Sequence, residues 1–298
     1  MGWDATDPRL VNSAQAIQSA GIHVTIEIRD IDTDHPNTYR LTLENAAETH
    51  RITAISTGGG MIEVVKIDGA HVSIKGDYYE TLIYVDQGSD PLIRNLEAQL
   101  NADNVIDHQD GNVPFIEIKT QQPLTSKLLT SLRENAPVQR VRTLSPVLPV
   151  LSRKELSVPF ITCEEMMAYN ADRNLDLWEL AVHYESARGN LSHEQVLTQM
   201  TTLIQTMQSA VRQGLDGTEY ADRILGPQSG AFAAQMESGR LLDGGILNRM
   251  ILYVTALMEV KSAMGVFVAA PTAGACGGLP GACLGAVHAM DLSSAEAA

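Results

Sequence analysis

Cysteine is scarce in this chain: Cys163, Cys276 and Cys283 are the only three in 298 residues, an odd set with no Cys-x-x-Cys pair. Such usage excludes the disulfide framework of a small secreted domain. Positive charge is scarce as well, with 21 Lys and Arg against 36 Asp and Glu and a net charge of −15. A nucleic-acid or anionic-membrane surface needs clustered cations to neutralise phosphates, so neither partner is expected. Long apolar runs are missing too. No stretch of about 18 uninterrupted apolar residues occurs, so no bilayer span is expected. The opening Met1-Gly2-Trp3-Asp4-Ala5-Thr6-Asp7 lacks the basic and apolar segments of a signal peptide. A cytoplasmic protein acting on a small molecule is the expectation.

What is present suffices for more than one core, because single cores usually stop growing near this length. Ile22–Arg29 alternates β-branched with polar side chains, the period-2 signature of a half-buried strand. After the turn His35-Pro36-Asn37, further alternations follow at 39–43, 51–55 and 61–67. With a helix over 8–20, residues 1–76 read as a small mixed-sheet domain. Residues 77–145 give the order strand 81–85, helix 91–100, strands 105–108 and 115–120, helix 124–134, strand 138–142. This is βαββαβ, the ferredoxin-like arrangement, expected to fold by itself. Pro146, Pro149 and Pro159 mark 146–159 as a linker.

Residues 160–298 read as helical, so the fold class is α+β. Thr162-x-x-Glu165 and Ser192-x-x-Gln195 are capping boxes. Behind the second, Val196, Met200, Leu203, Ile204, Met207 and Val211 share a helical face, and Gly214 suits the C-terminal cap. Met250–Val260 is apolar nearly all round, as a central helix would be. Cys163 and Cys283 read as small buried apolar residues.

Three segments could carry chemistry. Ser56, Thr57, Gly58, Gly59 and Gly60 could present consecutive amides to an anion, but a strand follows them, so they form neither a P-loop nor a dinucleotide fingerprint. Gly88, Ser89 and Asp90 lie at the first turn of the βαββαβ unit, where amides could meet an effector's carboxylate or simply close a tight turn. From Ala269 to Gly281, four Gly and two Pro surround Thr272, Ala273, Gly274 and Cys276. This reads as a loop between buried helices that offers a hydroxyl, a thiol and amides to a ligand.

The motif Pro271-Thr272-Ala273-Gly274-Ala275-Cys276-Gly277-x-Leu279-Pro280-Gly281 resembles the cluster-binding motif in the α part of iron–sulfur L-serine dehydratases. His35-Pro36-Asn37-Thr38 and Ser56-x-Gly58-Gly59-Gly60-x-Ile62 resemble the end of the β part in that family. The βαββαβ unit occupies the place of the ACT domain of some members, and Val158-Pro159-Phe160 resembles the entry to the α part. The resemblance implies loss of water from L-serine to give pyruvate and ammonia. It implies a [4Fe–4S] cluster whose iron binds the substrate hydroxyl, with Cys276 as one thiolate ligand. It also implies substrate contacts at Thr272, Ala273, Gly274 and Ser56–Gly60, an amino-acid effector at the ACT-like unit, and a homodimer. Lys261, beside the motif, is a candidate base, although a lysine at the edge of an apolar helix more often packs its stem and pairs its ammonium.

The family's opening Pro-Ser-Ser-Ser-His-Thr stretch does not occur near Met1, and its further cluster cysteines fall beyond Ala298, so the resemblance implies a fragment at both ends. Ser293-x-x-Glu296 announces a helix with almost no body. Two other readings remain open. One is an amino-acid-sensing regulator built on the βαββαβ unit. The other is pyridoxal-phosphate β-elimination, disfavoured because no lysine sits in a Ser-x-Lys setting.

Overall fold

The computed structural model describes the chain except residues 1, 5, 87–89, 136, 149, 221, 222, 224, 225, 271 and 273. Its contacts divide into two compact units, Ile31–Leu191 and Met1–Asp30 with Ser192–Ala298. The class is α+β, with two four-stranded antiparallel sheets in the first unit and a helical second unit.

The first sheet is a meander, β1 (Thr38–Glu44), β2 (Thr49–Gly58), β3 (Met61–Ile67) and β4 (Ala70–Ile74). Asp68 and Gly69 both take positive φ, 50° and 94°. They turn β3 into β4 through the two-residue loop that the strands' right-handed twist favours. The second sheet is built from β5 (Tyr79–Val85), α2 (Asp90–Gln99), β6 (Asn104–His108), β7 (Phe115–Thr120), α3 (Ser126–Arg133) and β8 (Val138–Leu144). Its strand order, β6-β7-β5-β8, is antiparallel throughout. This is the ferredoxin-like order. One face buries Ile83, Val85, Ile116, Ile118 and Val141 beneath Leu92, Leu96 and Leu132 of the helices.

The other face of this second sheet is also covered. Leu82, Tyr84 and Phe115 share a core with Ile67, Ala70 and Ile74 of the first sheet. Asn112 N donates to the Asp68 carbonyl at 2.8 Å, and Arg142 reaches Glu48 at 2.7 Å. Excising residues 76–146 would strip the cover from Leu82, Tyr84 and Phe115, each worth roughly 1.5–3 kcal/mol when buried. Such a fragment is expected to melt well below the same segment in the full chain, as circular dichroism of both would show.

Two expectations fail in the first 60 residues. Ile22–Arg29 forms no strand: Val24, Ile26 and Ile28 are 54%, 82% and 99% exposed. Alternation alone does not make a strand without a partner to take its backbone hydrogen bonds. The helix over 8–20 exists as a 3₁₀ turn, Pro8–Asn12, and α1 (Ser13–Ser19), but it groups with the helical unit rather than with the sheet.

Within Ile31–Leu191, α4 (Cys163–Asn170) and α5 (Leu177–Gly189) follow residues 145–159, which hold no helix or strand among those described. The second unit adds α6 (His193–Asp216), α7 (Ser229–Glu237), α8 (Ile246–Ser262), α9 (Ala275–Ala289) and α10 (Ser294–Ala297). The expected capping boxes at Thr162, Ser192 and Ser293 are all formed. Ile204, Met207 and Val211 pack with Leu257, Val260 and Leu284, while Leu203 remains 42% exposed. Gly214 is no cap. It lies inside α6, where a Cβ would stand 2.3 Å from the Ala256 carbonyl oxygen. Gly217, with φ of 111°, ends the helix instead. No described helix is long and apolar enough to cross a membrane.

Candidate functional site

The helical unit places the motif around Cys276 at the start of a helix rather than in a long loop. Gly274, itself in helical conformation, is the N-cap of α9, which runs from Ala275 through Pro280. Thr272 Oγ1 accepts a hydrogen bond from Ala275 N at 3.1 Å, satisfying one of the first-turn amides that a helix leaves without an internal acceptor. Ala273 lies outside the described residues. Gly274 is exposed and Cys276 is 1% exposed. Pro280 has no N–H to offer the Cys276 carbonyl, so the helix ladder is interrupted directly behind the thiol.

The glycines serve packing more than ligand approach. A Cβ at Gly277 would meet Met258 Sδ at 2.8 Å, at Gly281 it would meet Val254 N at 2.8 Å, and at Gly285 Met250 Cα at 3.2 Å. The three lie on one face, four residues apart, and let α9 press against α8. That close approach is what offsets the cost of helix breakers in a buried segment. The other two cysteines depart from expectation. Cys163 and Cys283 are exposed, the former in the first turn of α4 and the latter two helical turns after Cys276 in α9. Among the described residues, no group of three or more His, Cys, Asp or Glu side chains could hold a metal ion.

Lys261 sits half-buried in the last turn of α8. Its neighbour Glu259 has a role the sequence did not disclose. Glu259 Oε1 accepts from Gln228 N at 2.6 Å and Ser229 N at 3.0 Å, and Oε2 accepts from Ser229 Oγ at 2.9 Å. A carboxylate thus caps α7 from a neighbouring helix, where the helix dipole favours negative charge. The signal available was the single charged residue within Met250–Val260. Replacing Glu259 by Ala should cost on the order of 1–3 kcal/mol, because two backbone donors lose their acceptor, and urea unfolding would measure it.

In the sheet-containing unit, the two other motifs come together. Ser56 N donates to the Asn37 carbonyl at 3.0 Å, and Thr38 pairs with Ile55 across β1 and β2. His35 organises its own turn: its carbonyl accepts from Thr38 Oγ1 at 2.6 Å, and Asn37 N meets its Nδ1 at 3.2 Å. Gly58, Gly59 and Gly60 all have positive φ, 96°, 61° and 82°, at the β2–β3 hairpin tip. The Gly58 and Gly60 positions face open space. Ser56 is half-buried and Thr57 exposed. The register shift between Ser56 and Gly58 gives the strand a bulge there, a feature often found beside binding sites.

Of the effector-site residues, Gly88 and Ser89 lie outside the described residues, and Asp90 is the exposed first residue of α2. The depression lined by Asp216, Thr218, Tyr220 and Arg223 contains none of the sequence-predicted site residues.

Sequence reading also missed two polar networks between the sheets. Near β8, burial opposes the Glu48 carboxylate, but the His50 hydrogen bond and the Arg140 and Arg142 charges outweigh it and hold its pKa below the usual range. Asp68 accepts from Arg51 N and pairs with His50, each at 2.7 Å. Near β4, Glu80, Glu117, Lys119 and His108 are all buried. In Phe115-Ile116-Glu117-Ile118-Lys119 the charges alternate with apolar residues, a pattern that reads as a solvent-facing side. The first sheet covers that side.

Comparison with known proteins agrees with the motifs. The serine dehydratase alpha chain family matches residues 172–298. The chain is 26% identical over 122 residues to the probable L-serine dehydratase alpha chain of Bacillus subtilis (strain 168), covering 41% of each. It is 28% identical over 83 residues to the probable L-serine dehydratase beta chain of the same organism, covering 28% of this chain and 38% of the relative. It is 22% identical over 140 residues to the L-serine dehydratase beta chain of Peptoniphilus asaccharolyticus, covering 44% and 63%. The chain therefore spans less than two thirds of the length of each of these relatives. Residues 172–298 carry the serine dehydratase alpha chain pattern, and the chain is similar to both kinds of L-serine dehydratase chain.

Proposed function

We propose that this chain is part of an L-serine ammonia-lyase, a lyase that eliminates water from L-serine and releases pyruvate and ammonia. The observation that carries this reading is the alpha chain match over 172–298, which includes the sequence Pro-Thr-Ala-Gly-Ala-Cys and a Cys276 buried in the first turn of α9. In this reading Thr272, Ala273 and Gly274 contact the substrate. Ser56–Gly60 contribute amides from the hairpin beside His35–Thr38. Lys261, close to the motif in sequence, is the candidate base. Residues 77–145 act as an ACT-like unit for an amino-acid effector, and the working form is a homodimer in the cytoplasm.

The cofactor of this reading is a [4Fe–4S] cluster, held through thiolates. The described residues do not compose such a site by themselves: Cys276 is buried in the motif, whereas Cys163 and Cys283 are exposed and no three metal-ligating side chains converge. Cys276 is one ligand in this proposal, and the remaining thiolates are not among the described residues.

The test is a chimera in which residues 172–298 replace the matching segment of the Bacillus subtilis alpha chain, assayed with its beta chain for pyruvate from L-serine. The chimera should form pyruvate, lose it on Cys276→Ser and keep most of it on Cys283→Ser, because a hard hydroxyl substitutes poorly for a soft thiolate. Activity that survives Cys276→Ser would overturn the assignment. The complete βαββαβ topology and the incomplete metal donor set favour one second reading, an amino-acid-sensing regulator. Calorimetry of the full chain with amino acids separates the two: binding at the ACT-like unit without any turnover in the chimera supports the sensor.

A further inference from the structure

The network between the two sheets contains more acid than its single ammonium can neutralise. Lys119 Nζ lies 3.0 Å from Glu117 Oε1 and 3.3 Å from Glu80 Oε1, and donates to the Ser73 carbonyl of β4 at 2.6 Å. His108 Nε2 meets Glu117 Oε2 at 2.6 Å. Glu80 Oε2 and Glu117 Oε1 are buried without a well-aligned donor. The Glu80 and Glu117 side chains are within hydrogen-bonding reach of each other, and a proton carried by Glu80 lets it donate to Glu117. It also leaves one carboxylate, Glu117, for one ammonium, Lys119.

We infer that Glu80 is a proton-dependent latch between the two sheets: protonated, it closes the Glu117–Lys119–Ser73 chain that ties β7 to β4, and ionised, it loosens that tie. The released proton goes to solvent, and the cost is a second buried carboxylate beside a single ammonium.

The surrounding groups agree. Burial first, then the Glu117 hydrogen bond, pushes the Glu80 carboxyl up to about 8. Burial opposes the Glu117 charge, but the His108 hydrogen bond and Lys119 hold its pKa low. Burial likewise opposes the Lys119 charge, and Glu117 and Glu80 more than restore it. Tyr78, whose ring centroid lies 5.6 Å from Lys119 Nζ, is pushed up to about 12 by burial and by Asp103 and Asp77, so it stays neutral. β6 supplies His108, and β4 supplies the Ser73 carbonyl, whose own hydroxyl is engaged with Glu63 at 2.7 Å. The latch joins the βαββαβ sheet to the sheet that carries His35–Thr38 and Ser56–Gly60. It does not depend on the proposed reaction.

The sign follows from linkage. The folded chain holds a proton on Glu80 that the unfolded chain releases at an ordinary carboxylate pKa. The stabilisation is full below that ordinary value and is lost as pH rises toward about 8. Across this window the opening equilibrium should rise by up to about tenfold per pH unit.

The experiment compares the full chain with Glu80→Gln, a neutral isostere that keeps a donor, by thermal melting between pH 5 and 9. The difference in melting temperature, variant minus wild type, should grow by roughly 2–4 °C per pH unit up to about pH 8 and then level. Hydrogen exchange at β4, corrected for its intrinsic pH dependence, should rise with pH in the wild type and not in the variant. If the variant does not fold, infrared spectroscopy of the wild type decides. A protonated-carboxyl carbonyl band present at pH 6 and lost by pH 10 supports the latch. Its absence at pH 6 overturns it, and so does a melting difference that is constant with pH.

Discussion

Incubated anaerobically with iron and sulfide, the full chain should take up far less than one [4Fe–4S] cluster per molecule and form almost no pyruvate from L-serine. Donor count sets this outcome. A cubane cluster normally needs three or four protein thiolates, and a single thiolate provides neither the geometry nor the affinity. Here Cys276 is buried at the start of α9, Cys163 is exposed at the start of α4, and Cys283 lies seven residues from Cys276 on an exposed part of α9. Seven residues of helix span about 10.5 Å along the axis, too far for two ligands of neighbouring iron atoms to meet without unwinding. Iron analysis with visible absorption and Mössbauer spectra would check the outcome. A stable brown protein with four irons and normal turnover would mean that Cys283 or Cys163 moves into the site, and the present path of α9 would then be wrong.

Much of the fold was legible because its signals are local. Period-2 alternation located β1, β2 and β3, the element order read over 77–145 located β5, β6, β7 and β8 to within a few residues, and three capping boxes marked helix starts that the structure shows. The failures occur where partners decide. Ile22–Arg29 has a strand's alternation and no strand beside it. Gly214 resembles a cap in the sequence because glycine commonly ends helices, but here it admits the Ala256 backbone. β4, a five-residue strand behind the Asp68-Gly69 turn, was too short for its alternation to stand out.

The candidate site was half legible for the same reason. Its motifs could be quoted residue by residue, and Ser56–Gly60 and His35–Thr38 do meet at one end of a sheet. In sequence the segment around Cys276 reads as a loop because glycine and proline ordinarily break helices. A tightly packed neighbour reverses that inference, and no one-dimensional pattern identifies the neighbour. The buried acid pair was invisible on similar grounds. Glu117 and Lys119 have the spacing of a solvated strand face, and only the stacking of the first sheet buries them.

The glycine face of α9 yields a prediction whose sign differs between neighbouring positions. Gly278 and Gly281 both lie inside the helix, so intrinsic propensity favours alanine at either by up to about 1 kcal/mol. At Gly278 a Cβ meets nothing within 4 Å, and Gly278→Ala should therefore stabilise the helical unit by about 0.5–1 kcal/mol. At Gly281 the same methyl would stand 2.5 Å from Val254 Cγ2, 2.8 Å from Val254 N and 3.0 Å from Val254 Cα. The valine side chain can turn aside, but the backbone of α8 cannot yield without parting the helices. Overpacking of this kind usually costs about 1–3 kcal/mol and outweighs the propensity gain. Gly281→Ala should destabilise the unit by that amount and Gly281→Val by more, whereas Gly214→Ala should behave like Gly281→Ala because its clash is with the Ala256 carbonyl. Denaturant unfolding of the four variants measures all of this at once. Equal stability of Gly281→Ala and Gly278→Ala would mean that contact through glycine does not set the α8–α9 spacing, and Cys276 would then lose the packing that fixes its place.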